Sequence, residues 1–293
     1  MFLSIITPTY NRGYILECCY KSLVAQSNYD FEWIIVDDGS TDNTEIIVNA
    51  FKAEEKITIK YIKQQNGGKH RAHNTGVMHA IGELCVCLDS DDLLTEDAVA
   101  IIYKTWRERK TSNSIGILAK RGSMKTGEPI CCSWPEYLSE SKMISLLEEY
   151  SFAGDTALFF DTSLMKNNLF MEFEKEKFLP ETNLYFDLDR LGTMILLDKV
   201  VYLCEYLPDG LTAKFHNLLI SNPLGTANTY YKQMLLSKYF KSKLKYAVLT
   251  NIYLRACVNK KMARIDEKNF LIMITKIPAG VIDKKFLRKF KNQ

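Results

Sequence analysis

The sequence predicts an α/β protein: a mostly parallel central sheet flanked by helices, followed by a helical C-terminal extension. Three observations predict it. Short apolar runs alternate with helix-period segments near the N-terminus, acid-rich turns follow two of those runs directly, and charge sorts unevenly along the chain. The 293 residues are 47% apolar and 25% charged, enough to bury a substantial core in one large domain or two small ones. Fibrous and wholly disordered classes are excluded.

Residues 3–7, 32–36, 57–62 and 84–88 are rich in Ile, Val and aromatics and read as buried strands. Between them, residues 14–25 set Ile15, Cys18, Cys19, Ser22 and Leu23 on one helical stripe. Residues 44–51 and 72–81 follow the same period, with Thr41 and Asn74 as expected helix-start residues. The order β-α-β-α-β-α-β requires crossover connections, hence parallel strands whose carboxyl ends share one edge, where ligands collect. Beyond Asp92, residues 96–109 predict a helix, 116–119 a strand, and 139–149 a helix with Met143, Ile144, Leu146 and Leu147 inward. Residues 155–207 alternate again. From Pro223 the pattern is helical, clearest over 230–240 and 244–257. No repeat or low-complexity linker interrupts the chain. The expected organisation is a domain over 1–222, with a ligand-binding half (1–95) and a second half (96–222), then a basic helical region over 223–293.

The longest apolar runs fall far short of the ~20 residues that a membrane-spanning helix needs. The opening Met1-Phe2-Leu3-Ser4-Ile5-Ile6 lacks a basic n-region and reads as a first strand rather than a signal peptide. The eight cysteines include no C-x-x-C pair, so reduced thiols in a cytoplasmic protein are expected. A net charge of +3 conceals an asymmetry: residues 230–293 hold 16 Lys/Arg against three acids. At the extreme end, Lys284, Lys285, Arg288, Lys289 and Lys291 surround Phe286, Leu287 and Phe290, a pattern that binds anionic membrane surfaces. No nucleic-acid module accompanies the charge, so nucleic acid is not an expected partner.

The acids are the most informative residues. Asp37-Asp38-Gly39-Ser40 follows one strand and Asp89-Ser90-Asp91-Asp92 another, so five carboxylates are expected to converge at one sheet edge. Their mutual repulsion calls for a cation. A hard divalent ion bridging a diphosphate needs few protein carboxylates, and a D-x-D supplies them from one short turn.

Thr7-Pro8-Thr9-Tyr10-Asn11-Arg12, Val36-Asp37-Asp38-Gly39-Ser40-Thr41-Asp42, Asn66-Gly67-Gly68-Lys69 with Asn74-Thr75-Gly76, Gly82-Glu83 and Leu88-Asp89-Ser90-Asp91-Asp92 come in this order. Over the first 95 residues this chain resembles the inverting family-2 glycosyltransferases of the GT-A fold. The resemblance implies a nucleotide-sugar donor, Mn2+ or Mg2+, and inversion at the anomeric carbon. It implies that Thr7, Pro8 and Tyr10 line the nucleobase and that Asp38 accepts its N–H. A carboxylate there suits the imide of uracil, hence a UDP-sugar. Arg12 and Lys69 would approach base or phosphates; Asp89, with Ser90 in the same turn, would lie near ribose or metal; Asp91 would ligate the metal, with Asp92 as runner-up.

An inverting transfer also needs a base for the acceptor hydroxyl. The resemblance puts an acid at a helix start in the second half, where Phe178-Leu179-Pro180-Glu181-Thr182 fits, with Pro180 as first helical residue and Glu181 as base. Asp155, Asp187 and Asp189 are fallbacks. Residues 176–181 and 206–212 resemble enzymes of bacterial surface polysaccharide, which implies a glycan or lipid-linked glycan acceptor at the inner face of the cytoplasmic membrane. Two other classes stay open. One is a non-catalytic nucleotide-sugar-binding subunit or scaffold; the other is a sugar nucleotidyltransferase, although Thr7-Pro8-Thr9-Tyr10 stands where the latter would carry a Gly-rich basic loop. No G-x-G-x-x-G occurs for a dehydrogenase.

Overall fold

The computed structural model describes residues 1–207, 210, 212–276 and 279. The amphipathic stretch 284–291 and residues Pro208, Asp209 and Leu211 of the 206–212 motif lie outside the described residues. Contacts divide the chain into two compact units, Met1–Leu169 with Leu188–Leu207, and Phe170–Asp187 with Pro208–Gln293.

The first unit is built on a nine-stranded sheet. Its first four strands are β1 (Leu3–Thr9), β2 (Phe31–Asp37), β3 (Ile59–Lys63) and β4 (Leu84–Cys87). The order β3-β2-β1-β4 is parallel throughout, with Thr9 opposite Asp37 and Ile6 opposite Cys87. The crossovers are α1 (Gly13–Val24), α2 (Thr44–Ala53) and α3 (Lys69–His79). After them come β5 (Leu93–Leu94), α4 (Ala98–Arg109), β6 (Ser114–Ser123), β7 (Glu140–Ser141), α5 (Met143–Glu149), β8 (Thr156–Asp161), α6 (Thr162–Asn167) and β9 (Thr193–Cys204). β8 is antiparallel to both β4 and β6, whereas β6 and β9 are parallel. The strands therefore match the predicted α/β class, six of the nine having a parallel neighbour.

Apolar side chains drive this arrangement. Leu3, Ile5, Leu16, Trp33, Ile35, Val86, Ile102, Trp106, Phe159 and Tyr202 share one buried cluster. Tyr20 stacks on Phe51 at 4.1 Å between ring centroids, which fastens α1 to α2. α3 lies so close to β1 that a Cβ on Gly76 would stand 2.3 Å from Ile6 Cγ2; only glycine permits that approach.

Several local expectations shift; Leu147, expected inward, is 45% exposed, and Cys18 of the expected α1 stripe is exposed too. α2 starts at Thr44, whose N–H bonds the Asp42 carboxylate at 3.0 Å, not near Thr41. α3 starts at Lys69, so Asn74 is a buried interior residue. Within 139–149 the first residues pair with β9 as β7, and the helix begins only at Met143. Polar ends and strand edges compete for the same residues, and tertiary pairing wins.

The second unit is helical: α7 (Thr182–Leu188, its last residue counted with the first unit), α8 (Phe215–Ser221), α9 (Pro223–Leu236), α10 (Phe240–Ala256), a 3₁₀ turn (Lys260–Ala263) and α11 (Phe270–Ile274). Leu219, Ala227, Tyr253, Leu254 and Ala263 form its main core, and Met234, Ala247 and Ile272 a satellite. The division falls elsewhere than residue 222 because the 170–187 segment is bonded to these helices. Buried Glu176 accepts the Leu224 and Gly225 N–H groups at the start of α9 (2.6 and 2.8 Å), while Asn222 Oδ1 accepts those of Lys177 and Phe178 (3.0 and 3.2 Å). Among the described residues no helix is long and apolar enough to cross a membrane.

Candidate active site

Because β1, β2 and β4 run parallel, the turns that leave them open on one edge of the first unit's sheet, and both acid clusters lie there. The two turns differ in chemistry.

The first is bonded inward. Asp37 is fully buried and accepts the Ser40 N–H at 2.6 Å and the Tyr61 hydroxyl at 2.5 Å. Asp38, 3% exposed, accepts the N–H groups of Gly67 (2.9 Å) and Gly68 (2.7 Å) and the side-chain amides of Gln64 (2.7 Å) and Asn66 (3.1 Å). A carboxylate has about four acceptor positions, so this loop fills it. Gly39 takes φ +84°, and a Cβ there would press to 3.0 Å from the Asn66 nitrogen, so the turn and the loop require glycine at that point. A nucleobase N–H at Asp38 would compete with the loop's own donors.

The second turn carries less compensated charge. Lys69, the first residue of α3, places Nζ 2.6 Å from Asp89 Oδ1; Arg12 Nη1 lies 4.0 Å from Asp91 Oδ2. Lys69 also joins the two turns, because its neighbour Gly68 is bonded to Asp38. Asp92 is buried and accepts the Tyr202 hydroxyl at 2.7 Å, while the same hydroxyl accepts the Asp89 N–H at 3.1 Å. The Arg121 guanidinium stands 4.1 Å from the centroid of the Tyr202 ring. Burial, and then the charge of Asp89, raise the Asp91 carboxyl above the usual range. Burial and Asp89 push Asp92 further, to about 7, against the Tyr202 hydrogen bond and the positive charge of Arg121. Ser90 is buried within the turn.

The remaining residues expected at the nucleobase separate. Tyr10 is 48% exposed, its ring open for stacking. Pro8 is buried. Thr7 differs from expectation: it is wholly buried and its hydroxyl accepts the Trp33 indole N–H at 2.8 Å, so this side chain serves the core. Strand alternation, which sends successive side chains to opposite faces, is the reason.

Glu181 belongs to the second unit. It immediately precedes α7, its carbonyl accepting the Leu184 and Tyr185 N–H groups, and its carboxylate accepts the Tyr185 hydroxyl at 3.3 Å. The helix thus begins two residues after Pro180. In the same unit Asp187 is paired with Lys232. In the first unit Asp155 accepts the Tyr206 hydroxyl at 2.6 Å, and buried Asp189 accepts the Met143 and Ile144 N–H groups, which makes it the cap of α5. Sequence reasoning missed Gln64, Arg121 and Tyr202, and gave Asn66, though quoted in its motif, no role at Asp38. Gln64 and Asn66 stand just before the Gly67-Gly68 pair, a signal that could have found their role; Arg121 and Tyr202 are strand residues that only pairing of β6 with β9 brings to the turn.

The model of the family described as glycosyl transferase family 2 matches residues 4–167. Glycosyltransferase GlyG of Streptococcus pneumoniae is 35% identical over 115 residues, 39% of this chain and 38% of that protein. The poly(ribitol-phosphate) β-N-acetylglucosaminyltransferase TarP of Staphylococcus aureus is 30% identical over 166 residues, 56% of this chain and 47% of its own length. The chain thus spans less than half the length of either relative. Among solved structures, S. aureus TarS in complex with UDP-GlcNAc superposes with a TM-score of 0.63 at 18% identity, covering 99% of this chain and 92% of that one. The mannosyltransferase PcManGT of Pyrobaculum calidifontis, in complex with GDP-Man and Mn2+, gives 0.57 at 17% identity, covering 89% and 73%. These likenesses establish the fold.

Proposed function

The chain belongs to glycosyl transferase family 2 and has the GT-A fold, and from that premise we propose that it moves a sugar from a nucleotide-sugar donor, with inversion, to a hydroxyl of a glycan or lipid-linked glycan in bacterial surface-polysaccharide synthesis. The observation that carries the reading is the Asp89–Asp92 turn, where the half-buried Asp89 and Asp91 meet Lys69 and Arg12 on the edge that Tyr10 and the Asp38 loop also border. UDP is the nucleotide we propose, by similarity to the TarS complex, since the loop fills Asp38.

The site's chemistry fits a divalent cation. Burial first, and then the charge of Asp89, raise the Asp91 and Asp92 carboxyls despite the positive charge of Arg12, Lys69 and Arg121. Among the described residues no three acidic, His or Cys side chains are grouped to hold a metal by themselves, so an ion at Asp91 and Asp89 would draw further oxygens from the diphosphate. Bound there, Mn2+ or Mg2+ would neutralise the charge that develops on the departing diphosphate. Lys69 and Arg12 contribute fixed positive charge toward the same group. Tyr10 offers its ring to the base. Glu181 takes the acceptor proton as the acceptor oxygen bonds the anomeric carbon and the bond from that carbon to the diphosphate breaks. The basic C-terminal residues give the chain a peripheral hold on anionic membrane at the cytoplasmic face.

A panel of sugar nucleotides with Mn2+ or Mg2+ tests this. Binding and slow hydrolysis of at least one donor are expected, with Asp91→Ala slower by about 10²-fold or more and Glu181→Gln retaining donor binding but losing transfer. No binding of any donor by the unsubstituted protein would overturn the proposal.

A further inference from the structure

Tyr202 is the largest wholly buried polar side chain at the site, and neither the motifs nor the proposed reaction uses it. Its hydroxyl makes two bonds of opposite sense: it donates to Asp92 Oδ2 at 2.7 Å and accepts from the Asp89 N–H at 3.1 Å. One oxygen thereby ties the first and last residues of the acid turn together. The Asp92 N–H bonds the Asp89 carbonyl at 3.0 Å, so side chain and backbone close the same short ring. The ring is itself fixed. Tyr202 lies in β9 beside Leu94 of β5 and opposite Arg121 of β6, whose guanidinium covers its face at 4.1 Å. A phenol held on a strand has little freedom, and a turn bonded at both ends to it inherits that rigidity.

We infer that Tyr202, braced by Arg121, is a positioning residue that sets the Asp89–Asp92 turn in the conformation that receives the donor's diphosphate. This rests on the proposed function, in that the diphosphate is the ligand received. Tyr202 touches no reacting atom; it acts through the turn. Phe at this position would keep the ring and its packing while removing both hydroxyl bonds, leaving a buried carboxylate and an amide without their partner.

The test uses the full chain and three readouts. In Tyr202→Phe, UDP affinity in the presence of Mn2+ is expected to weaken about tenfold, equivalent to about 1.4 kcal/mol, while affinity for uridine, which has no diphosphate, stays within about twofold. Amide exchange at the turn, residues 89–92, is expected to speed up by a similar factor. A merely structural loss would lower the thermal midpoint without separating UDP from uridine. If Tyr202→Phe alone does not fold, the pair Tyr202→Phe with Asp92→Asn, compared with Asp92→Asn, isolates the hydroxyl's bond to the Asp89 N–H. Equal loss for UDP and uridine, or unchanged UDP affinity with unchanged exchange, overturns the inference. Should the unsubstituted protein bind no UDP, the proposed function fails on its own account, and the exchange readout still decides whether Tyr202 holds the turn.

Discussion

The two acid turns on the sheet edge look alike in sequence and differ in what surrounds them. Around Asp37 and Asp38 the protein supplies six donors at 2.5 to 3.1 Å, from two loop N–H groups, two side-chain amides, a turn N–H and a tyrosine hydroxyl. Around Asp89, Asp91 and Asp92 stand a close lysine, a more distant arginine, the positive charge of Arg121 and one hydroxyl, and burial leaves two of the carboxyls raised. The first turn is internally completed and shapes the edge. The second keeps carboxyls that burial holds raised and that hydrogen bonds do not fill, a setting that favours a cation. Equal motifs thus divide into architecture and chemistry according to the donors that the fold delivers.

The largest expected effect separates them by stability. Asp38→Ala would strand the buried N–H of Gly67, that of Gly68 and two amide side chains at once, each buried group costing about 1–3 kcal/mol when left unpaired. A loss of about 3 kcal/mol or more in unfolding free energy is expected by chemical denaturation. Asp91→Ala removes an acid held above its usual range and is expected to leave stability unchanged or raised. If both variants are equally unstable, the contrast between the turns is broken.

Protonation sharpens the same contrast. Asp92 is pushed up to about 7 in the folded protein by burial and by Asp89. An unfolded chain releases that proton near the ordinary carboxylate value, about 4. Between these values the folded state holds more protons than the unfolded one, so stability falls as pH rises through the window, and the deficit is complete above about 7. Asp92→Asn cannot titrate. Measured without divalent cation, its thermal midpoint should exceed that of the unsubstituted protein at pH 8, and the gap should close toward pH 4. A gap of constant size across that range would contradict the assignment.

Legibility followed the same physics. The alternation of apolar runs with helical stripes located β1 to β4 and their helices, most clearly at β1 and β2, where burial on both faces of a parallel strand leaves an uninterrupted apolar run. Charge clusters at strand ends located Asp89 and Asp91, and the family resemblance named Lys69 and Arg12, which the fold brings to them. What stayed hidden depends on pairing between distant segments. β7 formed where a helix was expected because the edge of β9 was available to it. The 170–187 segment joined the helical unit because the Glu176 carboxylate accepts the Leu224 and Gly225 N–H groups and Asn222 Oδ1 accepts those of Lys177 and Phe178, relations across 40-odd residues with no local mark. Tyr202 and Arg121 meet the acid turn only through the register of β6 with β9.

Thr7 gives the smallest and most discriminating effect. The resemblance assigns it to the nucleobase, yet its hydroxyl is the acceptor for the Trp33 indole N–H in a fully buried contact. Thr7→Val preserves shape and removes that acceptor, which should cost about 1–2 kcal/mol because an indole N–H is left unpartnered in the core. Donor affinity should remain within about twofold, since the side chain faces away from the edge. Calorimetric melting and a nucleotide titration on the same sample distinguish the two roles. A clear loss of donor affinity at unchanged melting temperature would return Thr7 to the nucleobase and would mean that the outward side of β1 carries less of the recognition than Tyr10 suggests; the expected pattern, lower stability with donor binding intact, leaves Thr7 on the same architectural side of the division as Asp38.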